Sequence, residues 1–138
     1  MEQTKEFKVT INRGDALLMV TMSGHFCFEH LEEIQSIGRQ IKNFSETKFV
    51  VIDMSEVVDV ESKMIFSFAK IQKEIRDSGI HLRVCALHLK LKRKLIERGI
   101  VRENEVHDSL TGAVKSLMAK QKVERKGGGD QGNDPIAA

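Results

Sequence analysis

The residues best suited to carry function in this 138-residue chain lie in one short polar segment, residues 55–63. The segment holds two serines, three carboxylates and one lysine. Its candidate site residues are Ser55, Asp59, Glu61, Ser62 and Lys63. A serine hydroxyl can accept a phosphoryl group, which adds about −1.5 to −2 charge near neutral pH. Neither serine has a histidine or another base at a spacing that would activate it as a nucleophile. The segment therefore favours partner binding or modification over catalysis.

Other motifs for chemistry are missing from the sequence. The five histidines form no HExxH pattern and no cluster with cysteine, so we predict no metal site and no cofactor. The sequence has no P-loop, GxSxG or GxGxxG motif, so we predict that the protein is not an enzyme. Cys27 is either a reactive thiol or an ordinary residue, and the lack of an adjacent base favours the ordinary role. Cys85 lies in an apolar stretch and is predicted to belong to the core.

The composition is typical of one globular domain, with 41% hydrophobic and 30% charged residues. A net charge of +2 and the lack of Trp and Tyr argue against direct binding of nucleic acid. The N-terminal residues are charged where a signal peptide is apolar, and no apolar run approaches the roughly 20 residues that span a bilayer. The protein is therefore predicted to lack a transmembrane segment. Its only two cysteines are widely separated, which predicts a cytoplasmic location.

The polar segment is flanked by the clearest structural pattern in the chain. Residues 49–52, Phe-Val-Val-Ile, are too few for a helix and end at Asp53, which predicts a strand buried on both faces. After the segment, a helical pattern covers residues 62–78 and ends at Gly79. Its apolar face is Met64, Phe68, Ile71 and Ile75. The polar segment is then a loop at the carboxyl end of a buried strand, where α/β sheets meet ligands and partners.

The rest of the chain alternates strands and helices. Two apolar stretches, residues 7–12 and 16–22, predict an antiparallel hairpin whose first strand lies at the sheet edge. Further strands are predicted at 80–87 and 100–106, and further helices at 28–44, 90–98 and 109–120. Gly38 is expected to permit close packing of the first of these helices on the sheet, and Gly99 is expected to end the second. This order predicts an α/β fold with a mixed sheet of about five strands and four helices, in a domain of residues 1–121. Residues 122–138 lack apolar periodicity and are predicted to be a disordered C-terminal tail.

Four of these stretches together resemble the STAS domain of bacterial anti-sigma factor antagonists. They are Met22-Ser23-Gly24, residues 51–55 (Val-Ile-Asp-Met-Ser), residues 58–62 (Val-Asp-Val-Glu-Ser) and residues 95–100 (Leu-Ile-Glu-Arg-Gly-Ile). The resemblance covers residues 7–118. It implies a STAS-like fold and a non-enzymatic cytoplasmic regulator that binds an anti-sigma factor or serine kinase. In such antagonists the kinase phosphorylates a serine or threonine at the start of the second helix, binding is lost, and a phosphatase restores it.

The chain departs from the family signature, Asp-Ser-Ser/Thr-Gly, at three of its four positions. Glu61 replaces the aspartate, Lys63 stands where the phosphate is usually received, and Met64 replaces the glycine. Ser62 remains, either as a phosphoacceptor shifted by one position or as a helix-capping or first-turn serine. Lys63 either contacts an acidic group on a partner or points into water, where Glu61 and Asp59 offset its cost at a helix N-terminus.

The predicted partner surface also includes a loop over residues 24–29, because the second strand is expected to end at Ser23-Gly24. This loop contributes Gly24, His25 and Cys27, the last at a position where the family often carries an acid. The predicted function is an interaction module that binds an anti-sigma factor or switch kinase through the loop before helix two, as a monomer or weak dimer.

Two alternatives within the same fold stay open. One is a cytoplasmic accessory subunit of a membrane transport complex, docking through the basic run 90–98, which is otherwise the solvated face of an amphipathic helix. The other is a module that binds an anion or nucleotide at the N-terminus of the second helix.

Overall fold

A five-stranded mixed sheet organises the protein in a computed structural model that describes residues 7–14, 16–44 and 46–130. The strands lie in chain order; β1 is antiparallel to β2, and the remaining neighbours are parallel. They are β1 (Lys8–Arg13), β2 (Leu17–Phe26), β3 (Phe49–Val60), β4 (His81–Cys85) and β5 (Val106–His107). The helices are α1 (Leu31–Lys42), α2 (Ser62–Asp77), α3 (Leu89–Glu97) and α4 (Leu110–Asp130), with 3₁₀ turns at Phe28–His30 and Glu103–Glu105. The predicted fold of five strands and four helices is confirmed.

Strand β3 lies at the centre of the sheet and is covered on both faces. Phe49 is 5% exposed, and the next three residues are fully buried, as the apolar run predicts. Val50 and Ile52 face the larger apolar core, which also contains buried residues of α1, α2 and α3. Phe49 and Val51 face a smaller cluster with Ala113 and Leu117 of α4. One strand therefore separates the two cores.

Helices α1 and α2 lie side by side on the larger core, and Gly38 allows their close approach. A Cβ atom built at Gly38 would come 2.5 Å from Glu74 Oε1 and 4.0 Å from the Cα atom of Ile71. The lack of a side chain thus makes room for α2, whereas the sequence had predicted close packing on the sheet. Gly79 and Gly99, with φ values of +81° and +71°, follow the ends of α2 and α3 as predicted.

A buried polar link holds α2 against the turn Glu103–Glu105. Arg76 Nη2 donates to Glu105 Oε1 at 2.7 Å and to Gln72 Oε1 at 3.3 Å. Gln72 is fully buried and Glu105 is 9% exposed, so these partners satisfy groups that would be costly to bury alone. The helical periodicity did not predict this link, because its two ends lie 29 residues apart.

The predicted ends of β2 and β3 are wrong. Strand β2 continues through Gly24 to Phe26, and β3 continues past residue 52 to Val60. The stretches predicted as loops, 55–63 and 24–29, are thus largely strand. The reason is that the two stretches pair with each other, and the pairing buries Val57 and Val60 against the core. Backbone groups that a loop would leave to water are satisfied in this ladder.

Three other boundaries also differ from prediction. Strand β4 ends at Cys85, because Ala86 takes a positive φ of +64° and its amide donates to the carbonyl of His107. Strand β5 contains only Val106–His107, whereas Ile100 and Val101 are buried without forming a strand. Helix α4 continues to Asp130, beyond the predicted end at 120, since the residues up to Lys126 include few poor helix formers. Residues 131–138 of the predicted tail lie outside the described residues, and the domain boundary at 121 stays a prediction.

Candidate partner-binding surface

The ends of β2 and β3 form a paired extension beyond β4. His25 lies opposite Asp59, Phe26 lies opposite Val60, and the Glu61 amide donates to the Phe26 carbonyl at 3.0 Å. Strand β4 pairs with β3 only as far as Asp53. The pairing therefore brings two distant sets of predicted site residues together: Gly24 and His25 on one strand, and Asp59 and Glu61 on or next to the other.

Two irregularities in the β2–β3 pairing decide which side chains of the extension face solvent. The register shifts between Thr21 and Ser23 and again between Gly24 and His25, with one extra residue on β3 each time. Such bulges change the direction of side chains without ending the strand. Val57 and Val60 stay buried at 3% and 0%, whereas Val58 is 43% exposed. An apolar side chain is thereby presented next to the charged residues.

The connection from β3 to α2 is a single residue, Glu61. Its backbone takes the N-cap position, its side chain makes no capping hydrogen bond, and its carbonyl accepts from the Met64 amide at 2.8 Å. Ser62 is the first residue of the helix and is exposed, so it is a first-turn serine and not the N-cap. Lys63 is exposed beside it, in a first turn that contains no acid. The Ser62 hydroxyl is accessible at the positive end of the helix.

Phe66 adds an aromatic ring that the sequence interpretation did not include. It is 78% exposed, although Phe68 two residues later is fully buried. A helix turns about 200° in two residues, so the periodicity that predicts Phe68 as core also places Phe66 on the outer side. Because residues three and four apart share a helix face, Phe66 lies on the face of Ser62 and Lys63. We call Val58, Glu61, Ser62, Lys63 and Phe66 the α2 surface.

Helix α3 is attached to the end of β3. Lys94 Nζ lies 3.8 Å from Asp59 Oδ1 and donates to the Val60 carbonyl at 3.3 Å. His88 Nδ1 accepts from the Leu91 amide at 3.3 Å, so Nε2 carries the proton and donates to the Val58 carbonyl at 3.0 Å. His88 thus caps α3. The sequence could not connect Lys94 with Asp59, because they are 35 residues apart.

Cys27 and His25 border the α2 surface. Burial and the nearby carboxylates of Glu61 and Glu29 raise the pKa of the Cys27 thiol, which favours the less reactive protonated form. His25 Nδ1 is buried, and none of the described residues gives it a hydrogen-bond partner. Cys85 is fully buried as predicted, and its burial raises the thiol pKa to about 12.

Ser55 lies apart from the centre of the surface. It is exposed at the first bulge of β3, where its amide donates to Asp53 Oδ1 at 3.0 Å. Val60 lies five positions further along the chain, a distance of roughly 15 Å along a strand. The site residues predicted from sequence are therefore not one compact cluster: Ser55 is at one end of the extension, and Ser62 is beyond the other.

Two features are absent from the part of the chain that the structure describes. Among residues 7–14, 16–44 and 46–130, no group of three or more His, Cys, Asp or Glu side chains has an arrangement that could hold a metal ion. Within the same ranges, no helix combines the length and apolar character needed to cross a membrane.

A parallel sheet with one antiparallel edge strand and a helix starting directly after the central strand defines a small domain of the α/β class. The family model of the STAS domain matches residues 7–113. This chain therefore belongs to the STAS domain family, as the resemblance of its four stretches implied.

Solved structures with the same fold include both free-standing domains and parts of transporters. An anti-sigma factor antagonist from Mycobacterium paratuberculosis is similar with a TM-score of 0.70 and 16% identity, covering 82% of this chain and 95% of that one. The STAS domain of a SulP transporter from Vibrio cholerae has a TM-score of 0.69 and 16% identity, covering 81% and 88%. The antagonist SpoIIAA in its unphosphorylated form has a TM-score of 0.65 and 9% identity, covering 83% and 97%. No curated protein sequence matches this chain.

Proposed function

We propose that this STAS domain is a non-enzymatic regulatory module of the anti-sigma factor antagonist type. It binds an anti-sigma factor or switch kinase in the cytoplasm through the α2 surface. The observation that carries the proposal is the exposed run Glu61-Ser62-Lys63 with Phe66, held next to the paired ends of β2 and β3. Both cysteines are free, which suits a reducing compartment.

The physical argument rests on rigidity and on the mixture of side chains. The surface lies on a helix and on paired strands, so little conformational entropy is lost when a partner binds. An exposed aromatic ring surrounded by charged residues is typical of binding hot spots, because the ring supplies apolar area and the charges supply specificity. The Phe66 ring, 78% exposed, and the Val58 side chain, 43% exposed, offer apolar area that a partner could cover.

Whether phosphorylation controls partner binding depends on the residues at the start of α2. The ammonium of Lys63 cannot form a stable phosphoester as a serine does, so the usual phosphorylation position of the family is inactive here. We propose that partner binding is constitutive and that Lys63 contacts an acidic group on the partner. The alternative, control through Ser62, would place a phosphate beside Glu61 and Asp59, and repulsion would weaken the docking of an acidic surface.

The test combines mass spectrometry with binding by three variants. The protein is isolated from its own cells and analysed for phosphate, and the partner is captured through a photo-crosslinking residue at Phe66. We expect Ser62→Ala and Ser62→Asp to bind the captured partner like the parent chain, while Lys63→Glu binds at least about tenfold more weakly. Stoichiometric phosphate on Ser62, with binding lost only in Ser62→Asp, would replace constitutive binding by a Ser62 switch. Failure to capture any protein at Phe66 would contradict the proposed function.

A second candidate function is an accessory subunit of a membrane transport complex. The similarity to the STAS domain of a SulP transporter supports it, since the TM-score of 0.69 is close to that of the antagonist. The same capture experiment separates the two functions. An integral membrane transporter recovered at Phe66 favours the accessory subunit, and a kinase or anti-sigma factor favours the antagonist.

A further inference from the structure

Helix α3 has an outer face that packs against no part of the described chain. Leu91 and Leu95 are buried in the larger core, and the opposite side of the helix is open to solvent. Leu89 is 62% exposed on that side. The residues of this side line a shallow depression of about 520 Å³, and Lys94 also contributes to its lining. We call Leu89, Lys90, Arg93, Glu97 and Arg98 the α3 face.

The charges of α3 divide into two groups. Lys92 and Lys94 have acidic partners within the domain, Asp108 at 3.0 Å and Asp59 at 3.8 Å. Lys90, Arg93 and Arg98 make no ion pair and no side-chain hydrogen bond with any residue that the structure describes. The α3 face thus presents three available cations and a single acid, Glu97, around an exposed leucine.

The α3 face is continuous with the α2 surface. The His88 ring, at the start of α3, donates to the Val58 carbonyl, and Lys94 bonds to the carbonyl of Val60. These two bonds fix α3 to the last residues of β3, and Glu61 then leads directly into α2. Leu89 follows the His88 ring that contacts the exposed Val58. A partner bound to the α2 surface can therefore contact the α3 face at the same time.

We propose that the α3 face binds an acidic segment of a protein partner, with an apolar side chain of that segment against Leu89. This inference rests on the proposed function, because it extends the same docking surface and states the chemistry of the partner. Negative charge on a partner would complement the three available cations, and apolar area beside that charge would cover the exposed leucine. The same partner then contacts α2 through Phe66 and α3 through Leu89.

The distribution of acids favours a protein over an anionic membrane. Glu97 lies among the cations, and Asp59 and Asp108 border the face with side chains 54% and 90% exposed. A uniformly negative lipid surface would repel all three carboxylates. A protein segment can place its acids opposite Lys90, Arg93 and Arg98 and neutral or basic groups opposite the carboxylates.

The first experiment tests the α3 face with a defined probe. A synthetic amphipathic peptide of glutamate and leucine is titrated into the ¹⁵N-labelled full-length chain, and amide shifts are followed by NMR. We expect saturable shifts over residues 89–98 and loss of affinity as salt is added. Lys90→Glu combined with Arg93→Glu should weaken binding about tenfold, the sum of several exposed ion pairs.

A matched control separates local contact from net charge. Arg39→Glu combined with Lys42→Glu makes the same change in charge on exposed positions of α1, whose last residues precede the opposite end of the sheet. It should leave peptide affinity within about twofold. Lys90→Gln with Arg93→Gln provides a milder variant if charge reversal disturbs folding. Equal losses of peptide affinity in the α1 and α3 variants, or no amide shifts over residues 89–98, would overturn the proposal. Binding of phosphatidylglycerol vesicles through α3 in place of the peptide would overturn it in favour of lipid.

The second experiment separates this proposal from the proposed function. Photo-crosslinking residues are placed in cells at Leu89, at Phe66 and, as a control, at Lys42. Capture of one protein from Leu89 and Phe66 but not from Lys42, through an acidic segment at Leu89, supports the extended surface. Capture at Phe66 alone leaves the proposed function standing and overturns the role of α3. Loss of capture at Phe66 counts against the proposed function, while the peptide titration still decides whether α3 binds acidic segments.

Discussion

Two stretches that flank the bulges of β3 differ in how far their side chains are buried in the core. Residues 49–52 are buried against α1 and α2 on one face and against α4 on the other. Residues 58–66 run from the last bulge into α2 and expose Val58, Lys63 and Phe66. One strand and its following helix can thus carry both stability and recognition, because bulges and the helical turn direct some side chains outward. The two stretches should therefore respond differently to mutation.

The largest expected effect comes from the two phenylalanines of α2. Phe68 is fully buried with its ring 6.0 Å from that of Phe26, so Phe68→Ala should lower the free energy of unfolding by about 3–5 kcal/mol. Phe66→Ala should change it by less than about 0.5 kcal/mol and instead weaken partner capture. Urea denaturation of both variants measures the difference. A loss below about 1 kcal/mol in Phe68→Ala would show that α2 presents its other face to the core.

A smaller effect is expected within β3 itself. Ile52→Val removes one methylene from a fully buried side chain and should cost about 0.5–1.5 kcal/mol. Val58→Ala removes apolar atoms from a side chain that is 43% exposed and should stay within about 0.5 kcal/mol. Thermal and urea unfolding compare the two. A cost at Val58 equal to that at Ile52 would mean that the Val58 side chain packs against the domain and is not available to a partner.

Acid should weaken the α4 side of the sheet through His107. Burial and the nearby Arg83 guanidinium lower the pKa of His107 below its ordinary 6.5, although Asp108 acts in the opposite direction. The unfolded chain therefore binds a proton more readily than the folded chain, and stability is lost as the pH falls below about 6.5. Urea denaturation between about pH 7.5 and pH 5.5 should show this loss in the parent chain and a smaller loss in His107→Gln. Identical pH profiles would rule out a role for His107.

The smallest effect is expected from the C-terminal residues. Deletion of residues 122–138 should leave the midpoint of thermal unfolding unchanged, because their glycines and charges offer little apolar area to bury. The extension of α4 to Asp130 makes this a direct test of whether the final turns of that helix contribute to folding. A midpoint lower by several degrees would show that they dock on the domain.

Local patterns in the sequence were enough to predict the elements that depend on neighbouring residues. The β-branched apolar run 49–52 predicted the central strand, helical spacing predicted the buried residues of α2, and Gly79 and Gly99 predicted helix ends. The exposure of Phe66 could also have been predicted from the same spacing, because the position lies opposite the buried stripe. These features need only neighbouring residues, so a single sequence is enough to reveal them.

The shape of the candidate surface depends on contacts between residues that are distant in the chain. Residues 55–60, Ser-Glu-Val-Val-Asp-Val, do not alternate between apolar and polar, and two bulges disrupt the period that predicts a strand. Their strand conformation depends on pairing with residues 23–26, which lie more than 30 positions earlier in the chain. The attachment of α3 through Lys94 and His88 likewise joins residues 30 or more positions apart. Such contacts arise when the chain folds over itself, and no local pattern in the sequence specifies them.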